Sequence, residues 1–519
     1  MTSSNLVQRT KLFWDWFTEN EEQLAAFVEN RTPDQSQHNQ VVQFISEGVA
    51  HIHKDLTFNI GGDYEFTFAI GGNGALYFIL PYVIANMPKQ HRGKWKFFVG
   101  MQGTGEQNFT FAMHETSVDT DKVMVLPVPT KTVNEDGSES EQADTADLFF
   151  YAKEWEDLKD EECYHAFWLL FENTVGEALA SIYVAEARRA DAVSSDMIPL
   201  SELRQWMLDN LIEDGKTPNP VDRIFSYGRD PEESSELRQD ILVGTGKFAP
   251  LVGDYYEGQC QSYQNFVELG AKPLYLHYYY RIHETDSGDV DSDAILGERY
   301  ELTDKIEAEI LGKRDSGDEI GIVLGGALGR HRAYIDLLLY DEETFLERAR
   351  KVLAKDSNTF FMKEFRPVGS DQLLSDADME GFMDRLQTLY EVEAHGIIVE
   401  ILENIGIDQM DYDMRAEYSR ALNNVGRLED ALEVMERDRK QGSAEIRWNY
   451  RYGYSLLYLD RFAEAEEYFR RALDLAADVD IDDKEGAAWL ADNKEHVEWF
   501  LAEAQREKRK ADKKPFWKK

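Results

Sequence analysis

Near the end of the chain, apolar and small residues recur at a fixed interval of 34 residues. The two matching segments are EYSRALNNVGRLEDALEVMERDRKQG, from residue 417, and RYGYSLLYLDRFAEAEEYFRRALDLA, from residue 451. Equivalent positions share size or charge in the pairs Tyr418/Tyr452, Leu422/Leu456, Val425/Leu459, Arg427/Arg461, Leu428/Phe462, Asp430/Glu464, Ala431/Ala465 and Met435/Phe469. Apolar residues three and four apart predict amphipathic helices, and Gly426 and Asp460 predict the turns between them. Each segment therefore predicts a pair of helices, which is typical of a stacked repeat.

The flanks of this pair offer further helices. A stacked array needs about three units or dedicated caps, because two units leave part of their core uncovered. Upstream, residues 384–406 carry a helical stripe that includes Ile397, Ile401 and Ile405. Downstream, residues 487–505 predict a closing helix. We expect an all-α domain over residues 371–519.

Small and large residues alternate through the second segment, and small residues let paired helices approach closely. The positions that carry this pattern are Gly453, Ala465, Phe469 and Ala472. The pattern and its period resemble the tetratricopeptide repeat. The proline usual at the end of that repeat is replaced by Ala477, and the first copy has Ser419 and Asp438 where small apolar residues are usual.

The resemblance implies a binding groove lined by the first helix of each repeat. The matching positions are Arg420, Asn423, Asn424, Arg447, Tyr450, Tyr454 and Tyr458. Arginine and asparagine side chains suit a carboxylate or an acidic peptide, which they bind through charge-assisted hydrogen bonds. The alternative is that these side chains point outward into solvent and bind nothing.

The middle of the chain, residues 206–370, predicts the order β-α-β-β-α-β. The strands are KPLYLHYYYR, EIGIVLGG, RHRAYIDLLLY and TFFMKEF, and the helices lie in YELTDKIEAEILGK and after Asp341, which is placed to cap the second helix. This order is that of a ferredoxin-like α+β domain. Such modules include enzymes, regulators and sensors, so the fold alone does not assign a function.

The first part of the chain, residues 1–205, predicts a related α+β domain of mixed helices and strands. The three-part order, with FWDWF in the first part, GGALGRHRAYIDLLLYD in the second and the repeats last, resembles an uncharacterised group of bacterial cytoplasmic proteins. That resemblance implies the domain division and no activity.

Charge and composition narrow the classes of partner. The formal net charge is -43 and the hydrophobic fraction is 43%, which together indicate folded, strongly acidic surfaces. Such surfaces repel nucleic acid and anionic membranes and favour basic partners. The N-terminus lacks a signal-peptide pattern and no run reaches the ~18 apolar residues of a membrane helix, so we expect a cytoplasmic protein. Cys163 and Cys260 are too few and too far apart for a disulfide framework.

Sequence motifs for nucleotide binding, metal binding or catalysis match only in part or are absent. Gly71, Gly72 and Gly74 follow a predicted strand, but Tyr77 stands where a dinucleotide fingerprint needs glycine, so we expect a tight turn. His51 and His53 lack a third metal ligand, and nucleophile motifs are absent; we expect no metal and no cofactor.

One cluster suits an anion. Arg330, His331 and Arg332 follow a glycine-rich stretch between two predicted strands, although a hairpin turn explains these glycines equally well.

The sequence favours a non-enzymatic adaptor that binds a protein or peptide, basic or carboxylate-bearing, through its helical repeats, with a regulatory or toxin-neutralising role. The alternative is an enzyme or small-ligand sensor in an α+β domain, with a pocket around His277, His331 or Arg332. The tail QREKRKADKKPFWKK holds eight basic residues, and Phe516 and Trp517 between lysines suit nucleic acid or an anionic membrane surface. The alternatives are a frayed, solubilising tail and a tail that folds back onto the acidic body. The sequence leaves the oligomeric state open.

Overall fold

The structure is a computed structural model of the protein. It describes residues 4–29, 35–105, 107–113, 116–131, 145–212, 219–228, 237–280, 291–314, 316–330, 332–356, 358–369, 372–375, 382–383, 386–387, 389–390, 393–477 and 484–512. Sheets occupy the N-terminal and middle parts, and the C-terminal part is helical. This combination of α/β parts with a helical end is as the sequence predicts. No helix among these residues is long and apolar enough to cross a membrane.

The chain forms two compact units. Unit 1 comprises Met1–His277, Glu298–Ala349 and Lys363–Gly369, and unit 2 comprises Tyr278–Gly297, Arg350–Met362 and Ser370–Lys519. The division at Gly369 lies beside the boundary expected at residue 371.

The first part of unit 1 packs three helices with a small sheet. These are α1 (Leu6–Glu29), α2 (Gln35–Val49), α3 (Leu76–Ala85), β1 (Thr57–Gly61), β2 (Glu65–Ala69) and β3 (Lys96–Val99). Strand β2 lies in the middle, antiparallel to β1 and parallel to β3. Phe13 and Phe17, one turn apart on α1, place their rings 5.6 Å from Phe68 and 5.3 Å from Phe97. Aromatic side chains on one face of α1 thus form its contact with the sheet.

A second core of unit 1 lies against a four-stranded sheet. A hairpin, β4 (Thr110–Met113) and β5 (Thr116–Asp119), precedes β6 (Met124–Thr130), β7 (Thr145–Tyr151), α4 (Asp160–Val175), α5 (Glu177–Tyr183), β8 (Val184–Arg189), β9 (Ile198–Pro199) and α6 (Leu200–Asn210). The sheet order is β8-β7-β6-β9. Phe150 of β7 stacks on Phe167 of α4 with ring centroids 4.1 Å apart.

The domain boundary expected between residues 205 and 206 falls inside α6. Leu203 and Met207, on either side of it, are fully buried in the same core. Because one packed helix cannot be shared between two domains, α6 belongs wholly to the part that precedes it. The other core of unit 1 joins Phe13 and Phe17 with Tyr275 and Tyr334, so it combines residues of both expected α+β domains.

The middle strands form a mainly antiparallel sheet. The elements are β10 (Phe225–Gly228), β11 (Ile241–Gly246), α7 (Ala249–Tyr256), α8 (Gln261–Glu268), β12 (Lys272–Tyr279), α9 (Ser292–Ile306), β13 (Gly321–Gly329), β14 (Arg332–Leu339), α10 (Glu342–Leu353), β15 (Phe360–Glu364) and β16 (Gln372–Ser375). The expected order β-α-β-β-α-β is present from β12 to β15. Gly325 has φ +152, and a Cβ there would lie 2.1 Å from the Thr245 carbonyl oxygen, so glycine is required. Asp341 caps α10, as predicted, by accepting from the Thr344 amide at 3.3 Å.

The C-terminal part of unit 2 is helical. Its helices are α11 (His395–Ile405), α12 (Tyr412–Asn424), α13 (Leu428–Arg437), the short α14 (Arg439–Gly442), α15 (Ile446–Tyr458), α16 (Phe462–Ala477) and α17 (Lys484–Asp512). The two expected pairs are α12 with α13 and α15 with α16. Helices α12 and α15 begin 34 residues apart, and so do α13 and α16. Each of α12 and α15 packs on the helix that follows it, and α15 also packs on α12, α13 and α17. The sequence period therefore coincides with a structural period.

Close helix contact in the second pair depends on one large and several small side chains. Phe469 of α16 is fully buried, and so are Ala465 and Ala472 on the same helix. The Phe469 ring reaches α15 at Gly453, where a Cβ would lie 3.1 Å from it. Phe469 therefore fills the space that the small residues leave between the helices.

Phe469→Ala tests this packing. We expect the free energy of unfolding to fall by about 3–5 kcal/mol, because the variant leaves a cavity at a fully buried position. Urea unfolding of the intact protein, followed by circular dichroism, measures the change. The control is Arg471→Ala, an exposed position on the same helix, which should change stability by less than about 0.5 kcal/mol. Equal effects of the two substitutions would contradict the packing described.

Candidate functional site

A groove of about 530 Å³ opens between the helices of unit 2. It is lined by Gln387, Tyr390, Arg420, Asn423, Asn424, Arg447, Tyr450, Arg451, Tyr454, Trp489, Asn493 and His496. Six of the seven positions expected to line a groove are among these residues. The exception is Tyr458, which is 54% exposed and lies beside the groove with its ring 4.7 Å from that of Tyr454.

One carboxylate holds two of the groove arginines in place. Glu417 of α12 accepts from the Arg420 guanidinium at 3.0 Å and from the Arg451 guanidinium at 3.1 Å. Arg451 also donates to the carbonyl of Ala416 at 2.8 Å. Glu417 and Arg451 stand 34 residues apart, at equivalent positions of successive helix pairs. This ion pair therefore connects α12 to α15 beneath the groove.

Burial and charge act on this ion pair in opposite directions. Burial by itself would raise the pKa of Glu417, but the Arg451 and Arg420 guanidinium groups outweigh it and hold that pKa below its usual range. Burial lowers the pKa of Arg451, although Glu417 opposes this effect. The arginine remains charged at neutral pH, because its ordinary pKa is above 12.

The groove wall is positively charged. Its lining residues include Arg420, Arg447 and Arg451 and no aspartate or glutamate. The Glu417 carboxylate at its base is shared between two of these guanidinium groups, those of Arg420 and Arg451. The Arg420 guanidinium stacks on the Tyr390 ring, with its carbon atom 3.1 Å from the ring centroid, which orients it. A chain with a net charge of -43 thus has a local cationic groove.

The two asparagines have different environments. Asn423 is 7% exposed; its amide oxygen accepts from Ser455 at 2.7 Å and its amide nitrogen donates to the Arg451 carbonyl at 3.3 Å. Both ends of this side chain therefore connect α12 to α15, so Asn423 positions the groove wall. Asn424, by contrast, is exposed.

Tyrosines form the apolar part of the groove. The Tyr450 ring lies 5.1 Å from Trp489 and 5.9 Å from Phe500 of α17, and the Tyr454 ring lies 5.4 Å from Phe500. Burial raises the pKa of the Tyr450 hydroxyl, so it stays protonated and able to donate at neutral pH. This wall offers flat aromatic surface with hydrogen-bond donors at its edge.

Several groove residues were not anticipated from the sequence. They are Gln387, Tyr390, Arg451, Trp489, Asn493 and His496. Arg451 had a usable signal, because it repeats the position of Glu417 with the opposite charge. The others come from the segments before α11 and within α17, which lie outside the two matching copies.

The expected anion cluster is not brought together as a surface site. Arg330 is exposed, whereas Arg332 on β14 is only 4% exposed. His331 lies outside the described residues. His277 on β12 is also buried, with its ring 6.1 Å from that of Tyr334. The nearby polar core includes a buried ion pair in which Arg238 donates to Asp336 at 2.6 Å.

The basic tail continues α17 for part of its length. Lys508 forms an ion pair with Glu466 of α16 at 2.7 Å, which fastens the end of the helix to its neighbour. Phe516 and Trp517 lie outside the described residues. Within the described part of the chain, no three histidine, cysteine, aspartate or glutamate residues are grouped to hold a metal ion.

Comparison with known proteins does not assign the chain to a family. No family model matches it, and no curated protein matches it significantly. The groove must therefore be interpreted from its own chemistry.

Glu417→Gln tests the ion pair beneath the groove. At neutral pH we expect a loss of about 1–3 kcal/mol of stability, because two largely buried guanidinium groups lose their charged acceptor. The folded pKa of Glu417 is depressed, so its contribution is complete above the unfolded pKa of about 4.3 and disappears as the pH falls through the folded value. The difference between wild type and variant should therefore shrink towards acid pH.

Urea unfolding of the intact protein across a pH series measures this difference. Glu433→Gln, at an exposed position on α13, is the matched control and should show little effect at any pH. A difference that is constant or grows with acidity would contradict the assignment.

Proposed function

We propose that unit 2 is a tetratricopeptide-like repeat module that binds a carboxylate-bearing segment of a partner protein in its groove. The 34-residue spacing of the helix pairs supports the repeat assignment, together with Gly453 against Phe469. The observation that carries the binding proposal is the excess of guanidinium groups over carboxylates in the groove.

The charge balance selects the chemistry of the ligand. Glu417 is already shared between Arg420 and Arg451, and Arg447 lines the same groove. An incoming carboxylate would accept charge-assisted hydrogen bonds from guanidinium groups that Glu417 already holds in place. A basic segment would meet three guanidinium groups. Of the two partner classes expected from the sequence, the groove therefore favours the carboxylate-bearing one.

The aromatic wall suits a peptide better than a free anion. Tyr450 and Tyr454 present ring faces beside the arginines, and exposed Tyr458 extends this surface outside the groove. Rigid aromatic side chains contribute contact area at low entropic cost. An extended segment that places one carboxylate on the arginines would lay its neighbouring side chains on the tyrosines.

For the middle of the chain we propose the ferredoxin-like arrangement. The strand order β13-β14-β12-β15 supports it, since it places the first strand of the β-α-β-β-α-β series between the third and the fourth. In this proposal the middle part of the chain is a structural domain that takes no part in peptide binding.

Peptide binding to the intact protein tests the proposal. The probes are fluorescent octapeptides rich in aspartate and glutamate, with free or amidated C-termini, and a lysine-rich octapeptide. We expect the acidic peptides to bind saturably, with an affinity that falls as salt is added, and the basic peptide to bind only weakly, through the acidic surface outside the groove. Fluorescence anisotropy measures the affinities.

Arg447→Glu should lower the affinity for the acidic peptides at least tenfold. One charge-assisted hydrogen bond contributes about 1.5–3 kcal/mol, and a tenfold change in affinity corresponds to about 1.4 kcal/mol. Arg471→Glu changes the net charge equally at an exposed site on α16 and should leave the affinity within about twofold. Equal losses in both variants, or tighter binding of the basic peptide, would refute the groove as the site.

A further inference from the structure

A second cavity, of about 470 Å³, lies within unit 1. Its wall comes from the glycine turn after β2, from α3, α4 and α5, and from the residues around Lys247 at the end of β11. These elements are far apart in sequence, so no local sequence motif predicts the cavity. It is distinct from the groove of unit 2 in both residues and chemistry.

The glycine turn beside this cavity is already occupied by a carboxylate of the chain itself. Glu177 accepts from the amide groups of Ile70 at 3.0 Å, Gly71 at 2.9 Å and Met101 at 2.8 Å. Three backbone donors therefore satisfy the Glu177 carboxylate and fix it at the cavity wall. A phosphate has no place in this turn, which explains why the glycines do not make a nucleotide site.

One carboxylate of the wall has no partner among the described residues. Glu172 lines the cavity and has no side-chain hydrogen bond or ion pair. Burial raises the pKa of Glu172, and the Glu177 carboxylate raises it further. Because Glu172 is half-buried, a ligand that donates to it would replace water at its oxygen atoms.

The cavity also has cations that no carboxylate of its wall neutralises. Lys247 donates to the Val323 carbonyl at 3.1 Å, and Arg223 donates to the Ile182 carbonyl at 3.0 Å. Burial lowers the pKa of Lys247. No ion pair of the described residues joins either cation to Glu172 or Glu177, although all four side chains line one cavity. Acidic and basic side chains therefore line one cavity without pairing with each other.

Aromatic rings separate the charged groups. Phe78 and Phe248 meet edge to face, with centroids 5.4 Å apart, and Trp168 lines the wall beside Glu172. Aromatic faces next to a carboxylate suit an ammonium group, and they also accept an apolar side chain. The wall thus combines sites for a cation, an anion and an apolar group.

We propose that this cavity binds a small zwitterion of the α-amino acid class, with its ammonium group at Glu172, its carboxylate at Lys247 and Arg223, and its side chain against Trp168 and the phenylalanines. Such a ligand carries one group for the acidic residue and one for the basic residues of the wall, and it adds no net charge to the cavity. A volume of about 470 Å³ holds a compound of this size.

Isothermal titration of the intact protein with each of the twenty L-amino acids tests the proposal. We expect at least one to bind saturably, and we expect its two analogues that lack the amino or the carboxylate group to bind at least tenfold more weakly. The substitutions Glu172→Gln and Lys247→Met retain side-chain size. Each should lower the affinity for that amino acid at least tenfold. Circular dichroism confirms that the variants are folded.

Glu161→Gln, an exposed position on the same helix as Glu172, is the matched control and should bind as wild type does. Absence of binding by all twenty amino acids would overturn the proposal. So would an amine or a carboxylic acid analogue that binds as tightly as the amino acid, since this would show that one of the two charges is not recognised. The peptide affinities of unit 2 are measured separately and do not enter this test.

Discussion

The helical unit depends on a single buried carboxylate that is shared between two guanidinium groups. Glu417 and Arg451 occupy equivalent positions in successive helix pairs, so the 34-residue offset brings opposite charges together where α12 meets α15. Arg420 completes the cluster from the same helix as Glu417. The same carboxylate therefore connects α12 to α15 and positions two guanidinium groups at the groove, where we propose that they meet an anionic ligand.

The two cavities illustrate different ways of placing charge. The lining of the unit 2 groove includes three arginines, and we propose that this selects the sign of its ligand. The cavity of unit 1 is lined by both acidic and basic side chains, and the ligand proposed for it carries both charges. In the glycine turn beside that cavity, Glu177 takes the place that a bound anion would otherwise fill. In both units, a single glutamate engaged by several donors fixes the wall geometry.

Sequence reasoning succeeded where physical signals are periodic. The interval between the two copies predicts where the helix pairs begin, and the resemblance to the tetratricopeptide repeat implies the groove positions Arg420, Arg447 and Tyr450, which line one groove. It failed where contacts join distant segments. Glu177 binds the amide of Ile70 across 107 residues, and no local pattern could indicate this. Trp489 enters the groove from α17, which lies outside the repeating register. The boundary expected at residue 205 was misplaced because α6 carries no turn signal there.

Structure determination of the intact protein with a bound acidic octapeptide tests the central claim most directly. The account predicts a carboxylate of the peptide within hydrogen-bond distance of the guanidinium groups of Arg420, Arg447 or Arg451, and neighbouring peptide atoms against Tyr450 and Tyr454. A peptide seated away from unit 2, or one that reaches the groove with its carboxylates turned from the arginines, would contradict it.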